Sequence, residues 1–297
     1  MKYLPCLTVA FAIVAVSVVG LSAFSNRAAA QTDLVHQGPH GTSILENAAV
    51  AENSAAPERA SVETPASPEA LGTDWPAPIE DSQHFGYLLV DQLEYRMKSS
   101  ADDSARWDAV GWYGDDYNRL WVKTEGDWRT DGERGGEAEV QALYGRLIAP
   151  FWDFQVGLRY DQFSGAGFDR SRGFVVIGLQ GLAPYRFEFE PALFVSQSGD
   201  VSARLTTTYE LLLTQRLILQ PRLDFDAAAQ AAEKFGVGAG ANSIGLGLRL
   251  RYEIRREFAP YLGVQWLHRF GDTAAISRRD GGRAEDIALV CGLRLWF

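Results

Sequence analysis

The sequence predicts an all-β protein: a closed antiparallel up-and-down transmembrane β-barrel of about 12 strands, preceded by a disordered tail. Three observations support this prediction. The first thirty residues have the layout of an export signal, and the chain from residue 84 onward alternates apolar and polar residues in short runs. The connections between these runs are alternately short and long.

The export signal begins with Lys2, continues through an apolar run from Leu7 to Val19 and ends with three alanines at 28–30. A charged start, a hydrophobic middle and a small-residue cleavage site are typical of a secretory signal peptide. A retained membrane anchor is the alternative, but residues 22–27 interrupt the run before it is long enough to span a bilayer. We therefore predict a signal peptide over residues 1–30.

The charge balance restricts the partners. Removal of residues 1–30 takes away two basic residues and no acidic residue, so 26 basic residues remain against 38 acidic ones. A net charge of about −12 argues against nucleic acid as a partner and is compatible with attracting cations. Cys291 is then the only cysteine in the mature chain, which excludes an intrachain disulfide.

Residues 31–80 are rich in Ala, Pro, Ser and Glu and contain few aromatic or branched residues. Such a segment buries too little apolar surface to offset the entropy lost on ordering. We predict a disordered periplasmic tail over 31–80, with a transient helix around 44–60 as the less favoured alternative. The barrel domain is predicted over 81–297.

The barrel strands are predicted from runs of alternating residues separated by turn residues. They lie near residues 84–97, 105–113, 117–128, 137–149, 151–161, 171–183, 185–196, 200–214, 216–227, 241–255, 260–270 and 286–297. Short links such as "GDDY" and "AP" alternate with longer polar links, notably 127–137, 161–172 and 271–286. Tight periplasmic turns and long external loops are typical of outer-membrane barrels, and an even strand number leaves both chain ends in the periplasm.

The stretch "RLILQPRLDFD" (216–226) illustrates the two faces of a strand. Leu217, Leu219, Leu223 and Phe225 occupy odd positions, and charged residues occupy even positions from 222 onward. In a closed barrel the apolar face contacts lipid and the polar face lines the lumen. Two residues do not fit: Pro221 cannot donate to a strand ladder, so we expect a bulge or kink there, and Asp91 falls on the nominally outward face.

The predicted lumen is crowded with charges of both signs, and Trp112 and Trp121 are predicted to point inward as well. Mixed charges in a narrow lumen most often pair with one another and close it. Acidic residues could instead form steps on a cation path, opposed by neighbouring arginines. The inward set includes Asp108, Arg204 and Arg249, and the candidate functional residues within it are Glu94, Lys123, Glu125, Arg159, Glu188, Arg222 and Asp224.

Several blocks together resemble one family: "DQLEYR" (91–96), "DYNRLWVKTEGD" (116–127), "PFWDFQVGLRYD" (150–161), "YELLLTQRLILQPRLDFDA" (209–227), "FAPYLGVQWLHRFGDTA" (258–274) and "GLRLWF" (292–297). They resemble the copper-resistance protein B family (CopB/PcoB) across about three quarters of the chain. The resemblance implies a barrel in the outer membrane of a Gram-negative bacterium, surrounded by outer-membrane lipid. It also implies that the protein binds copper or assists its export, alongside a periplasmic multicopper oxidase of the CopA type.

The candidate metal ligands in the tail are few. Family members often carry a Met- and His-rich region before the barrel, whereas this chain has only Met1 and Met97 and the short motif "HQGPH". His36 and His40, with His84 at the start of the barrel, are the predicted metal ligands, since imidazole suits copper. Solvated histidines with no ligand role are the alternative.

Two other functions compete with the copper-resistance reading. A passive porin-like channel for small solutes is compatible with a charged lumen. A barrel enzyme needs a nucleophile and a base, and the rim offers only His268 with Ser277 or Asp272, or Cys291 on the lipid-facing side. We expect the protein not to be an enzyme.

Overall fold

The computed structural model describes residues 83–99, 101–131, 135–165, 168–183 and 186–297. The predicted signal peptide and the predicted tail, with His36 and His40, lie outside these residues. The described strands are β1 (Phe85–Lys98), β2 (Ser104–Gly114), β3 (Asn118–Arg129), β4 (Gly136–Ala149), β5 (Trp152–Gly165), β6 (Phe168–Ala183), β7 (Phe187–Ser196), β8 (Val201–Tyr209), β9 (Leu211–Leu212), β10 (Leu217–Ala228), β11 (Gly240–Tyr252), β12 (Phe258–Arg269) and β13 (Glu285–Trp296).

These strands form one closed antiparallel barrel. Consecutive strands pair with each other except β8 and β9, which both pair with β10. β10 also pairs with β11, and β13 returns to pair with β1. At the closure Leu88 and Phe297 exchange backbone hydrogen bonds of 3.0 and 2.8 Å. The two-residue β9 continues the run of β8 after a break at Glu210. The barrel therefore has twelve strand runs, which confirms the predicted fold.

The barrel has two different ends. The turn end carries both termini of the barrel and the turns near residues 115–117, 150–151, 213–216 and 253–257, together with the link from β6 to β7. The loop end carries the other connections. Two of the connections that we predicted to be long loops differ from the prediction. Most of 161–172 is strand, because β5 continues to Gly165 and β6 begins at Phe168. The connection 271–286 contains a helix, α1 (Gly271–Arg279).

Both predicted irregularities have a structural explanation. The register of β1 shifts between Val90 and Gln92, so Asp91 is the extra residue of a β-bulge and turns into the lumen rather than outward. The expected bulge at Pro221 is wrong. On one side, β10 pairs with β11 through Pro221 without a register shift. On the other side, the pairing of β10 with β8 and β9 is interrupted near Pro221 and resumes in the same register.

The two faces of the wall follow the alternation of the sequence. Large outward side chains are exposed, as at Leu158 (64%) and Leu262 (67%), whereas inward polar side chains such as Arg251 (1%) are covered by their neighbours. An apolar outer face is the surface that lipid requires. Among the described residues, no helix has the length and apolar character needed to cross a membrane.

Candidate functional site in the ion-paired lumen

Three arginines cross the lumen between strands that are not neighbours in the wall. Arg249 on β11 reaches Glu94 on β1, Arg222 on β10 reaches Asp108 on β2, and Arg204 on β8 reaches Glu125 on β3. Long arginine side chains carry planar donor groups that match carboxylates, so they suit such bridges. The lumen of the described barrel is therefore crossed by ion pairs.

Glu94 is a completely buried carboxylate with three donor side chains around it. The Arg249 guanidinium donates to both of its oxygens at 3.0 Å, Arg96 Nε donates at 2.7 Å, and the Tyr261 hydroxyl donates at 3.0 Å. The Glu94 side chain has no solvent exposure and the Arg249 side chain only 3%. A charge buried to this extent is stable only because all these partners are in place.

Glycines beside Arg249 make room for its crossing. A Cβ atom on Gly263 would press against the Leu248 carbonyl oxygen and lie 3.0 Å from Arg249 Cγ. On Gly245, in the same part of the wall, a Cβ atom would meet nothing closer than Gln265 Nε2 at 3.2 Å. The path of Arg249 to Glu94 thus depends on Gly263 more than on Gly245.

We expect Gly263→Ala to destabilise the barrel by roughly 1–3 kcal/mol, the usual cost of adding a methyl group to a packed interior. Denaturant unfolding in lipid vesicles, followed by tryptophan fluorescence, measures the change. Gly245→Ala is the matched control and is expected to cost less. Equal effects of the two substitutions would contradict the role given to Gly263.

Arg222 is held by three carboxylates. Its guanidinium lies 2.8 Å from Asp108, 3.1 Å from Asp224 and 3.6 Å from Asp91. Asp91 in turn pairs with Arg294 at 3.0 Å. The bulge at Asp91 therefore supplies a carboxylate to this cluster.

Arg204 also binds three carboxylates, Glu125, Glu139 (3.3 Å) and Asp226 (3.1 Å). The first two each have a second arginine partner. Glu125 pairs with Arg106 at 2.9 Å, and Glu139 pairs with Arg159 at 2.7 Å. Arg204 thus bridges the lumen to Glu125 and Glu139 on the opposite wall, and each of these carboxylates also has a second arginine partner there.

Two cavities lie on either side of Arg204. The larger, at the loop end, has a volume of about 710 Å³, and the smaller, toward the turn end, has about 110 Å³. Arg204, Glu125, Glu139, Thr206 and Phe194 line both cavities. The cluster around Arg204 is therefore the partition between them.

The turn-end cavity has an excess of negative charge. Lys123 pairs with Glu190 at 2.7 Å, and Glu188 is exposed, with no ion pair or side-chain hydrogen bond to any described residue. Carboxylates outnumber cations in the lining, with Asp91, Asp108, Glu125, Glu139, Glu188 and Glu190 against Lys123, Arg204 and Arg222.

Part of the lumen is apolar, which the charged sequence pattern did not indicate. Trp121, Leu143, Val176 and Phe194 form a buried cluster with Phe174, and Trp112 packs against it. The inward orientation predicted for Trp112 and Trp121 is confirmed. This cluster fills the lumen on the side of β2–β7.

The histidines lie apart from the lumen network. His84 is exposed and stacks on Tyr113, with ring centroids 5.8 Å apart. Nearby, the pKa of Asp115 lies below its usual value, chiefly because the Asn118 and Tyr117 backbone N–H groups donate to its carboxylate at 2.5 and 2.8 Å. No group of three or more His, Cys, Asp or Glu side chains within the described ranges has the geometry to hold a metal ion.

The rim residues considered for an enzyme make contacts with other groups. His268 makes ring contacts with Trp266 and Phe270, and the Ser277 hydroxyl donates to the Arg283 backbone oxygen at 3.1 Å. These contacts give Ser277 no basic partner.

The structure thus places all seven candidate lumen residues on the inner face. Glu125 and Arg159 belong to the Arg204 cluster, Asp224 belongs to the Arg222 cluster, and Lys123 and Glu188 line the turn-end cavity. Three important residues were not predicted: Arg106, Glu139 and Asp91. The alternation of β2 and β4 could have identified the first two, whereas Asp91 needed knowledge of the bulge.

Comparisons with known proteins agree with this architecture. The family model described as "Copper resistance protein B precursor (CopB)" matches residues 84–297. The chain belongs to the copper resistance protein B family. It is 41% identical to copper resistance protein B of Escherichia coli and 40% identical to the homolog of Pseudomonas syringae pv. tomato, in both cases over 74% of this chain and 72% of the relative.

Solved structures similar to this CopB-family chain include a porin and an outer membrane phospholipase. The KdgM porin has a TM-score of 0.43 at 10% identity and covers 72% of this chain and 99% of its own. Outer membrane phospholipase A from Escherichia coli has a TM-score of 0.45 at 13% identity and covers 71% of this chain and 91% of its own. The family supports a role in copper resistance, and family and fold together support an outer-membrane location.

Proposed function

We propose that this barrel confers copper resistance by giving copper a gated route through its lumen, from the turn end to the loop end. The observation that carries the proposal is the pair of cavities separated by the Arg204 cluster. A cation entering beside Glu188 meets carboxylates on both sides of that partition. Because arginines hold these carboxylates, the route is closed at rest, which disfavours a passive porin-like channel.

The chemistry of the lumen favours Cu(II) as the transported ion. The inward groups that could bind a metal ion are carboxylates, amides and hydroxyls, whereas Met97 and Cys291 alternate onto the outward face. Soft sulfur ligands select Cu(I), and oxygen ligands suit harder ions. A hydrated Cu(II) ion therefore fits the route better than Cu(I).

The remaining features of the proposal come from the sequence. We propose that the turn end faces the periplasm, where residues 31–80 would form the tail and a CopA-type multicopper oxidase would be the partner. His36, His40 and His84 are proposed to bind copper in the periplasm before it enters the lumen. His84 lies at the turn end, immediately before β1, which supports this placement.

Copper tolerance of a deletion strain tests the proposal. The strain is complemented with the wild-type chain, with Glu188→Gln, and with a chain lacking residues 33–80 behind the signal. We expect Glu188→Gln to lower tolerance, because Glu188 is the one carboxylate in the described lining of the turn-end cavity that has no ion pair with a described residue. Glu257→Gln, an exposed acid in the turn before β12, is the matched control and is expected to leave tolerance unchanged.

The outcomes separate the competing functions. If the tailless chain restores tolerance and Glu188→Gln does not, the lumen carries the function. If only the full-length chain restores tolerance, regardless of Glu188, the tail histidines carry it. If even the wild-type chain leaves tolerance unchanged, the copper route is wrong and a general solute channel takes its place.

A further inference from the structure

Two connections cover the mouth of the loop-end cavity. Residues 229–239, between β10 and β11, are called the strap; they include a short 3-10 helix, Glu233–Phe235. The second connection, between β12 and β13, contains α1. Phe235 and Val237 of the strap and Thr273 of α1 all line the cavity. The covering is thus part of the cavity wall.

The strap extends across the mouth to the far side of the barrel. The Phe235 ring lies 5.5 Å from that of Phe163 at the end of β5, and the Arg172 guanidinium on β6 lies 4.5 Å from the Phe235 ring. Arg172 also lies 5.3 Å from the Phe163 ring and pairs with Asp161 at 3.2 Å. We call Phe163, Arg172 and Phe235 the latch.

The base of the strap is fixed differently from its tip. Gly238 N donates to Thr273 Oγ1 at 2.9 Å, and a Cβ atom on Gly238 would lie only 2.6 Å from Thr273 N, so this close packing requires glycine. Between tip and base, Gly236 has a φ of +73°, a conformation that glycine adopts without strain. A Cβ atom there would meet nothing within 4 Å.

We propose that the strap is a lid on the loop-end cavity, which opens when Phe235 leaves the latch while its base stays on α1. Backbone hydrogen bonds between Ala232 and Val237 close the turn that contains Gly236. The tip therefore swings as one unit on the chain segments that flank this turn, without unpacking the base at Gly238. The latch consists of an aromatic pair and a cation–π contact, and the tip is also held by the Arg170 guanidinium, which donates to the Lys234 backbone oxygen, and by the exposed ion pair of Glu233 with Arg279 at 3.6 Å. Each of these contacts is weak enough to break reversibly. This lid would control exchange between the cavity and the outside whatever the transported solute is.

Accessibility of a cysteine inside the cavity tests the lid independently of copper. Ser202 on β8 lines the loop-end cavity, and Ser202→Cys together with Cys6→Ser and Cys291→Ser gives one reporter thiol. The purified barrel is treated with a charged methanethiosulfonate reagent. We expect Phe235→Ala to speed modification about tenfold, the factor expected from losing both latch contacts. Phe85→Ala, at the exposed turn end, is the control and is expected to leave the rate unchanged.

A second variant tests the closed state. With cysteines in place of Phe163 and Phe235, a short bifunctional thiol reagent joins the strap tip to β5. This variant keeps Cys6→Ser and Cys291→Ser and carries a genetically encoded fluorescent amino acid in place of Ser202, so that the strap tip and β5 hold its only thiols. Access to the cavity is followed with a charged quencher before and after cross-linking. We expect cross-linking to slow quenching below the uncross-linked rate. An unchanged rate in Phe235→Ala, or quenching as fast after cross-linking as before, would overturn the proposal.

Discussion

Replacing Glu94 with alanine is expected to destabilise the barrel by roughly 3–5 kcal/mol, the cost of leaving a buried charge without its partner. Arg249 would lose both of its hydrogen bonds to the carboxylate, and Arg96 would lose its closest partner. The Arg249 side chain cannot turn to solvent, because it is almost completely covered. Denaturant unfolding in lipid vesicles measures the loss.

Two controls make this test specific. Glu188→Ala removes a lumen carboxylate that has no ion pair with any described residue, and it is expected to change stability by less than about 0.5 kcal/mol. Glu94→Gln keeps the shape and one acceptor and is expected to lie between the two. Equal stability of the Glu94→Ala and Glu188→Ala variants would mean that the ion pairs around Glu94 contribute little.

Replacing Arg204 with alanine is expected to join the two lumen cavities and produce ion conductance. The substitution removes the group that links Glu125 and Glu139 across the lumen, yet Arg106 and Arg159 still pair with these carboxylates. We therefore expect a folded barrel with a cation-selective leak, because the joined lumen keeps its carboxylates. Planar-bilayer recordings would show discrete conductance steps that the wild-type barrel lacks.

Arg129→Ala is the matched control for this experiment. Arg129 also lines the loop-end cavity but forms no ion pair with any described residue. Its substitution is expected to leave the wild-type recording unchanged. If the Arg204→Ala and Arg129→Ala barrels have the same conductance, the barrier to ions lies elsewhere in the lumen. The apolar cluster around Trp121 is then the next candidate.

The lumen is closed by specific ion pairs and not only by the volume of its side chains. A passive channel needs a continuous water path, whereas here arginines bridge opposite walls at three places. Each bridge is electrostatic, so competing cations can weaken it. Under the proposed function, a copper ion that competes for the carboxylates would weaken these bridges.

The sequence by itself determined the architecture of the barrel. Strict alternation in strands such as β5 and β11 assigned each side chain to lipid or lumen, because successive residues of a strand point to opposite faces. The order of short and long connections then gave the two ends. Local deviations from regular strands could not be predicted from the sequence. The bulge at Asp91 and the helix α1 depend on pairing and packing with distant residues.

Only the tertiary structure decided which inward charges meet. Arg204 and Glu125 are 79 residues apart, Arg222 and Asp108 are 114 apart, and Arg249 and Glu94 are 155 apart. The two-residue alternation of a strand sequence specifies which face of the barrel wall a side chain lies on, but not its height along the barrel axis. That height follows from the register of every hairpin and from the closure of β13 on β1, and it decides which long side chains can reach each other across the lumen.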